Sequence, residues 1–578
     1  MKSIEFGLFL AAFAVGCTGV IAGSSGGGST GGPGPSALHP IDPGNASGPG
    51  NASDPGNTSN PGQASDPTTP TDVTGHYALR RLTNQEYTNT VQALLFTQQT
   101  PGATFQESLP GGSGYTNDSQ ALDISSALVA TYYAAAIGLA KEVIASKGTA
   151  GGAYSNLVTC DATQAACAQQ TVSALAKRAL RRPVTPVDLD ATSGLMSVFS
   201  ASGTFDQGLC DVIVALLMHP EFLMIPVVNA ASLDPAAIFK LNDYEVASRL
   251  SYFLWQSMPD DALTTTADQG KLHDPDVLRS QVSRMLSDAR ATNLKNVLRD
   301  EYAGLLSLAR TDLTQLGQTN TLRDAMVGET DAFLADIIEN DRSPLTLLTG
   351  TQSFVNKTLA DWYGLSFPAG QNAATFVPLA SNRTGLGSQA SVLVNTAGGS
   401  PTFTNPIKRG HWIASKLLCI NPPPPPPNVP PLPPASQANP TVRQRLETHL
   451  ATPSCTACHV AMDAVGLGAE NYDPFGQWRT TYADQTAVDA SGTLPGESTT
   501  FSDSASMYKA LGSSATAKTC VALQFMKLAL SRDLATDADQ SAASAVAASG
   551  VTPTSHFSDL ILSIVSTKEF LQQTGEAP

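Results

Sequence analysis

The chain has 578 residues, with 33 Lys and Arg against 49 Asp and Glu, and therefore a formal net charge of −16. The length excludes a small domain stapled by disulfides and allows several domains with cores of their own. The acidic balance, with basic residues that form no cluster, argues against electrostatic binding to nucleic acid or to an anionic membrane.

The first 17 residues have the pattern of an export signal. Lys2 precedes an apolar run at 6–15, which is too short to span a bilayer, and Gly16 and Cys17 follow. We interpret 1–17 as a lipoprotein-type signal peptide with Cys17 as the lipidated residue; an ordinary signal peptide is the alternative. We expect export to the bacterial outer membrane or cell surface as a lipoprotein, or otherwise to the periplasm or the medium. The membrane would be contacted only through the N-terminal lipid anchor.

Residues 18–75 are rich in Gly, Pro, Ser and Asn and poor in large apolar side chains. From position 43 a six-residue unit, Pro-Gly-Asn-Ala-Ser in its first copy, recurs along the chain. Such a stretch cannot pack a core. We therefore predict a disordered tether between the signal peptide and the folded body.

Helical signals begin after the tether. Thr83 and Glu86 have the spacing of a capping box, as do Asn242 and Glu245, so each pair predicts the start of a helix. Further helical periodicity occurs at 122–146, 170–182, 208–218, 276–287, 291–309, 322–339, 518–531 and 557–572. Alternating strand patterns are scarce, and the predicted fold class is therefore mainly α.

Proline and glycine mark the predicted boundaries within this mainly α body. We expect several helical domains in series, followed by a C-terminal cytochrome-c-like helical module. The predicted segments are helical domains at 76–150, 151–235 and 236–420, a proline-rich spacer at 421–435, and the module with its C-terminal helices at 436–578.

The motif Cys455-Thr456-Ala457-Cys458-His459 carries the strongest chemical signal. In an exported protein this spacing is typical of covalent attachment of c-type haem. Cys455 and Cys458 would bind the porphyrin through thioethers, and His459 would bind the iron. The predicted cofactor is haem c, with one haem per chain.

Two other interpretations of the motif stay open. A Cys/Cys/His zinc site would need a fourth ligand, for which His449 is the nearest candidate, and a disulfide would leave His459 without a role. Either would make the protein a non-enzymatic surface binding or scaffold lipoprotein. The colour of the purified protein distinguishes a haem protein from the zinc and disulfide alternatives, because haem is red and the alternatives are colourless.

The second axial ligand of a haem is not identified by the sequence. The candidates are His449, Met507 and Met526, each of which could equally be a core or surface residue. If none binds, the iron is five-coordinate and could bind a small oxidant. Trp478 and Arg479 are candidates for the haem environment, by packing on the porphyrin and by pairing with a propionate; an ordinary turn is the alternative.

Export also makes disulfides feasible. Cys160 and Cys167 are close in sequence and are the favoured local pair. Cys419 and Cys520 are a plausible long-range pair that would join the two flanks of the proline-rich spacer.

Several stretches together resemble the planctomycete-type secreted multidomain family, which is also found in myxobacteria and is built largely from domains of unknown function. The resemblance is carried by 80–90, 114–117, 179–183, 219–223, 244–255, 408–413, the motif at 455–459, 470–479 and 520–532. It covers most of 76–578 and implies a CxxCH-containing, cytochrome-like protein of the cell envelope. The sequence departs from the family pattern at Ala464 and Ser531, outside the haem motif.

The expected function is electron transfer, either alone or as the redox subunit of an oxidoreductase. Whether the protein is itself a haem-dependent enzyme stays open. The expected partner is an unidentified redox protein or extracellular substrate.

Overall fold

The computed structural model describes residues 80–225, 238–422, 441–450, 456 and 459–574, without the side chains of 448–450 and 574. The predicted signal peptide with Cys17, the predicted tether and most of the proline-rich spacer lie outside the described residues. The description below therefore concerns the folded body alone.

The N-terminal part of this body, up to residue 225, is helical with two short strands. Its elements are β1 (Arg80–Arg81), α1 (Asn84–Leu95), α2 (Ser126–Ala145), α3 (Ala153–Leu157), α4 (Ala165–Leu180), α5 (Leu195–Ser200), α6 (Phe205–Leu217), α7 (Pro220–Leu223) and β2 (Met224–Ile225).

The remaining part is also mainly helical, which confirms the predicted fold class. Its first elements are β3 (Ile238–Lys240), α8 (Asp243–Trp255), α9 (Asp261–Asp268), α10 (Pro275–Leu286), α11 (Thr292–Val297), α12 (Leu306–Arg310), α13 (Asn320–Glu339), α14 (Thr346–Thr349), β4 (Gln352–Val355), α15 (Lys357–Tyr363), β5 (Val377–Ala380), α16 (Ala390–Asn395) and α17 (Pro406–Trp412). The last are α18 (Val442–Leu450), α19 (Asp463–Gly468), β6 (Gly492–Thr493), β7 (Thr500–Phe501), α20 (Ser504–Ser513), α21 (Ala515–Leu530), α22 (Asp537–Gly550), α23 (Phe557–Val565), α24 (Lys568–Leu571) and β8 (Gln572–Thr574).

Both predicted capping boxes are present. Thr83 Oγ1 accepts from the Glu86 backbone N–H at 3.1 Å, and a Glu86 carboxylate oxygen accepts from the Thr83 N–H at 2.8 Å. Asn242 and Glu245 make the same reciprocal pair at 3.0 and 2.8 Å. These bonds satisfy backbone donors that an α-helix leaves open at its start, which is why α1 and α8 begin where they do.

Two predicted helices are wrong in their continuity. The periodic stretch at 557–572 is divided into α23 and α24, because the Thr567 side chain caps a new helix start, and it ends in β8. The periodic stretch at 291–309 is divided into α11, a π-helical turn at Leu298–Tyr302 and α12. Gly304 has a φ of 76° between the last two pieces, a left-handed conformation that ends a helix and that glycine adopts without strain. The apolar periodicity continues because all three pieces face the same core.

Buried apolar side chains form two cores. One lies between helices up to residue 225, and the other combines residues from 241 to 570. The first core contains residues from both sides of the predicted boundary at 150, and the second contains residues from both sides of the proline-rich spacer. The predicted domain boundaries stay predictions. The cores interlock, because Tyr115 is buried in the second core while Tyr252 and Met258 are buried in the first.

Strand pairs close the two cores in the same way. β1 pairs with β2, and β3 pairs with β8, both antiparallel. In each core the strand pair therefore joins the first segment of the chain to the last one. One further backbone bond follows each pair, from Leu82 N–H to Leu223 O at 2.8 Å and from Leu241 N–H to Leu571 O at 3.0 Å. The pairs β4–β5 and β6–β7 form local antiparallel ribbons.

Two disulfides join described cysteines to each other, at the pairs that the sequence favoured; Cys210 is disulfide-bonded as well. Cys160 is bonded to Cys167, and Cys419 is bonded to Cys520, with Cα–Cα distances of 5.6 and 5.3 Å. The second bond joins the end of the segment before the proline-rich spacer to α21. It therefore ties the two flanks of the spacer together.

Within the described residues, α2 is the one helix whose length and composition would suit a membrane span. Its most apolar window has a mean hydropathy of 1.4 and is 33% buried. A single helix of this kind is a weak indication, since a core helix of a soluble protein passes the same test. The buried side of α2 packs in the first core through Leu128, Tyr132 and Leu139.

Replacing Glu86 should destabilise the first core. The Arg80 guanidinium donates to both carboxylate oxygens of Glu86, at 2.6 and 2.8 Å, and both side chains are at least 97% buried. Glu86→Ala would leave a buried cation without its counter-charge and break the capping box. We expect a loss of about 3–5 kcal/mol in the free energy of unfolding, measured by urea denaturation.

Lys357→Ala is the matched control, because it removes an exposed pair with Asp361 and should change stability little. Equal stability of the Glu86→Ala variant and the wild type would contradict the role assigned to this pair.

Candidate functional site

The histidine of the Cys/His motif is buried and paired. His459 is 9% exposed, and its Nδ1 lies 3.0 Å from Oδ1 of Asp463, one helical turn later. A carboxylate at Nδ1 fixes the ring orientation and the tautomer of a histidine and assigns metal coordination to Nε2. Cys455 and Cys458 lie outside the described residues, so the predicted thioether positions stay predictions.

The helix that carries Asp463 is held close to another helix by glycines. A Cβ atom added at Gly410 of α17 would lie 2.1 Å from the Met462 carbonyl oxygen, and one added at Gly466 of α19 would lie 2.0 Å from the Pro406 carbonyl oxygen. Side chains at either position would push α19 and α17 apart. The backbone around His459 is therefore positioned by direct contact with α17.

A buried charge cluster fixes the segment that follows α19. The Glu470 carboxylate is fully buried and accepts from Arg409 Nη1 at 3.2 Å, from Arg479 Nη2 at 2.8 Å and from the Thr404 hydroxyl. Arg409 is 1% exposed, and this burial lowers the pKa of its guanidinium, an effect that Glu470 opposes. Two arginines and one carboxylate therefore hold α17 against the chain after the motif.

Arg409 also donates hydrogen bonds to the backbone of this segment. Its Nη1 donates to the carbonyl oxygens of Ala469 and Tyr472 at 3.0 and 2.6 Å, and its Nη2 donates to that of Asp473 at 2.7 Å. These bonds define the turn at 469–473 in detail. A lysine at this position could not make them, because it lacks the planar fork of donors.

The two candidates for the haem environment are held by protein groups. Arg479 pairs with Glu470 and also donates from Nε to the Glu470 carbonyl oxygen at 2.9 Å. Trp478 is 40% exposed, and its ring lies edge to face with that of Tyr472, 5.3 Å between centroids. Their contact with a porphyrin stays a prediction.

The candidate distal ligands are placed as follows. Met507 is fully buried, and its sulfur packs at Gly468, where an added Cβ would lie 2.3 Å away. Met526 is fully buried within α21 in the second core. The side chain of His449 lies outside the described residues. The structure describes no metal ligand set that includes them, so all three stay predictions.

Within the described part of the chain, no group of three or more His, Cys, Asp and Glu side chains could hold a metal ion. Cys455 and Cys458 lie outside that search. The residues that remain, His459 with its carboxylate partner Asp463, fit an axial ligand to haem iron, because such a histidine commonly donates its other N–H to a carboxylate.

Asp463 was not among the site residues predicted from the sequence. Its spacing of four residues from His459 in a helical segment could have identified it, since such residues lie on one face. The Arg409–Glu470 pair carries no comparable local signal, because 61 residues separate its members.

Replacing Glu470 by glutamine should destabilise the second core. The change keeps the shape of the side chain but leaves Arg409 and Arg479 without their shared counter-charge. We expect a loss of about 3–5 kcal/mol in the free energy of unfolding, measured by denaturant titration with a probe of the second core. Asp324→Asn, at an exposed pair, is the control and should have little effect; equal stability of the two variants would refute the prediction.

Models of four families match consecutive parts of the chain, each described as a protein of unknown function. They are PSD3 (DUF1587) at 80–145, PSD5 (DUF1595) at 167–226, PSD4 (DUF1592) at 241–365 and PSCyt3 (DUF1588) at 383–482. No curated protein and no solved structure shows significant similarity to the chain. The chain therefore carries four domains of the kinds expected for the planctomycete-type multidomain family.

Proposed function

We propose that the protein is a cell-envelope c-type cytochrome that carries one covalent haem and transfers electrons. Cys455 and Cys458 would form the thioethers, and His459 would be the axial ligand. The observation that carries the proposal is the CxxCH spacing combined with the 3.0 Å contact between His459 Nδ1 and Asp463. The name of the matching PSCyt3 domain, which ends at residue 482, is consistent with a cytochrome.

The surroundings of His459 favour a bound planar group. Val460, the next residue, leaves 66% of its side-chain surface exposed although it is a large apolar residue. His459 itself is held by Asp463 on a helix that cannot shift without losing its contact with α17. A histidine whose ring is fixed by a carboxylate is suited to act as an axial ligand of haem iron.

The bound haem would supply one-electron redox chemistry, and the protein would tune it. Asp463, as acceptor from the imidazole of His459, would increase electron donation by this ligand to haem iron and would favour the oxidised state. The buried cluster around Glu470 would keep this region rigid, which lowers the structural change that accompanies electron transfer. Whether the chain acts as a carrier or as the redox subunit of an oxidoreductase depends on the distal ligand.

The proposed location is the outer membrane or cell surface, with attachment through lipid on Cys17. The disulfides Cys160–Cys167 and Cys419–Cys520 support export, because such bonds persist in oxidising compartments. The proposed partner is a redox protein or an extracellular substrate that meets the folded body away from the membrane.

Removal of both motif cysteines should abolish covalent haem. Protein exported from a host that matures c-type cytochromes should show a Soret band and retain a haem stain after denaturing electrophoresis. The double variant Cys455→Ser, Cys458→Ser should lose both signals. The double variant Cys160→Ser, Cys167→Ser is the control, since it removes two cysteines elsewhere and should keep the stain.

A colourless wild-type protein, from a host that matures a control cytochrome in parallel, would overturn the haem proposal. The structural zinc or disulfide interpretation would then replace it, and metal analysis would separate those two.

Replacing Asp463 by asparagine should raise the reduction potential. The neutral amide is a weaker hydrogen-bond acceptor than the carboxylate and leaves less electron density on the imidazole, so the ferric state would lose stabilisation relative to the ferrous state. Because ~59 mV corresponds to a tenfold change for one electron, we expect a positive shift of tens of millivolts in a spectroelectrochemical titration. Asp361→Asn, an exposed carboxylate on α15, should leave the potential unchanged; an unchanged or lower potential in Asp463→Asn would contradict the assigned role.

A further inference from the structure

A pocket of about 370 Å³ lies where two family matches meet. It is lined by the end of α15, the chain after β5 and the turn before Arg479. The lining residues at 362–365, which include the end of α15, are the last residues of the PSD4 match. Arg383 is the first residue of the PSCyt3 match. The lining residues are Trp362, Tyr363, Gly364, Leu365, Ser381, Asn382, Arg383, Gln477 and Trp478. Small-molecule sites are commonly found at such junctions, and the volume is within their range.

Hydrogen bonds between the walls hold the pocket open. Trp362 Nε1 donates to the Phe475 carbonyl oxygen at 3.1 Å, and Gln477 Nε2 donates to the Trp362 carbonyl oxygen at 3.0 Å. Arg383 donates to the Gly476 carbonyl oxygen. A ligand would therefore meet a preformed site and would lose little affinity to the ordering of loops.

The one charged side chain in the lining is engaged by protein groups. Arg383 is the one charged residue among the nine that line the pocket. It is 6% exposed, its Nη1 donates to the Ser388 carbonyl oxygen, and its guanidinium carbon lies 3.7 Å from the centre of the Tyr363 ring. The Tyr363 hydroxyl donates in turn to Glu329 at 2.6 Å. The remaining polar lining groups are neutral, which favours an uncharged ligand.

The positions of the tryptophans also support a binding site at this pocket. The chain has four tryptophans, of which Trp255 and Trp412 are buried. The other two, Trp362 and Trp478, both line this pocket. Both indole rings are partly exposed, and the carboxamides of Asn382 and Gln477 and the hydroxyl of Ser381 line the same pocket.

We propose that this pocket binds a neutral saccharide. A pyranose ring has an apolar face of C–H groups, which packs on indole, and a rim of hydroxyls, which exchange hydrogen bonds with amides and hydroxyls. The lining supplies both parts, its one charged side chain, Arg383, is engaged by protein carbonyls, and the volume suits one or two sugar rings. The proposal does not depend on haem, because none of the lining residues belongs to the Cys/His motif.

Isothermal titration of the full exported protein with cellobiose, maltose and N,N′-diacetylchitobiose tests the proposal. At least one of these probes should bind, and Trp362→Ala and Trp478→Ala should each weaken that binding about tenfold or more. The conservative Trp478→Phe should retain part of the affinity because it keeps an aromatic face. Phe403→Ala, an aromatic residue 67% exposed outside the lining, should bind like the wild type.

Three results would overturn the proposal. One is the absence of binding by every probe at millimolar concentration. Another is binding that survives both tryptophan-to-alanine changes. The third is a changed Soret spectrum in Trp478→Ala, which would assign Trp478 to the haem environment instead. The haem stain of the same samples is read separately, so failure of sugar binding is distinguishable from failure to attach haem.

Discussion

The buried carboxylate of Glu470 is the interaction on which the candidate site depends. It joins Arg409 of α17 to Arg479, and Arg409 in turn fixes the backbone at 469–473. Burial of three charged groups is favourable only when each is paired and hydrogen-bonded. The positions of these three side chains are therefore narrowly constrained. The same contacts position α19, because this helix carries Asp463 and lies immediately before Glu470 in the chain.

The two cores are closed by the same arrangement of strands and helix ends. In each, a strand precedes a capping-box helix and pairs with a strand that follows a short terminal helix. Each terminal helix contains Glu-Phe-Leu, at 221–223 and 569–571, and a buried arginine donates to the carbonyl of its phenylalanine: Arg181 to Phe222 and Arg249 to Phe570.

Local features of this fold could be predicted from the sequence, and distant ones could not. The capping boxes at Thr83 and Asn242 depend on residues three apart, and the helical class depends on periodicity that any short window shows. Tyr115 gave no sign that it would be buried in the second core, because its neighbours there come from distant segments. The pairing of Arg409 with Glu470 and the meeting of Trp362 with Trp478 likewise arise only when the chain folds. The Cys/His motif was recognisable because its three residues lie within five positions of the chain.

The proposed sugar pocket and the proposed haem ligand belong to one continuous hydrogen-bonded segment. Arg383, in the pocket wall, binds the Gly476 carbonyl, and Arg409 binds the carbonyls of Tyr472 and Asp473 a few residues earlier. The chain then runs back through Glu470 to α19 and His459. The Cys419–Cys520 bond and the shared core also restrain the segments on either side of the proline-rich spacer. The segment between Asp463 and Trp478 is therefore held from both sides, by α17 through Arg409 and by the pocket wall through Arg383.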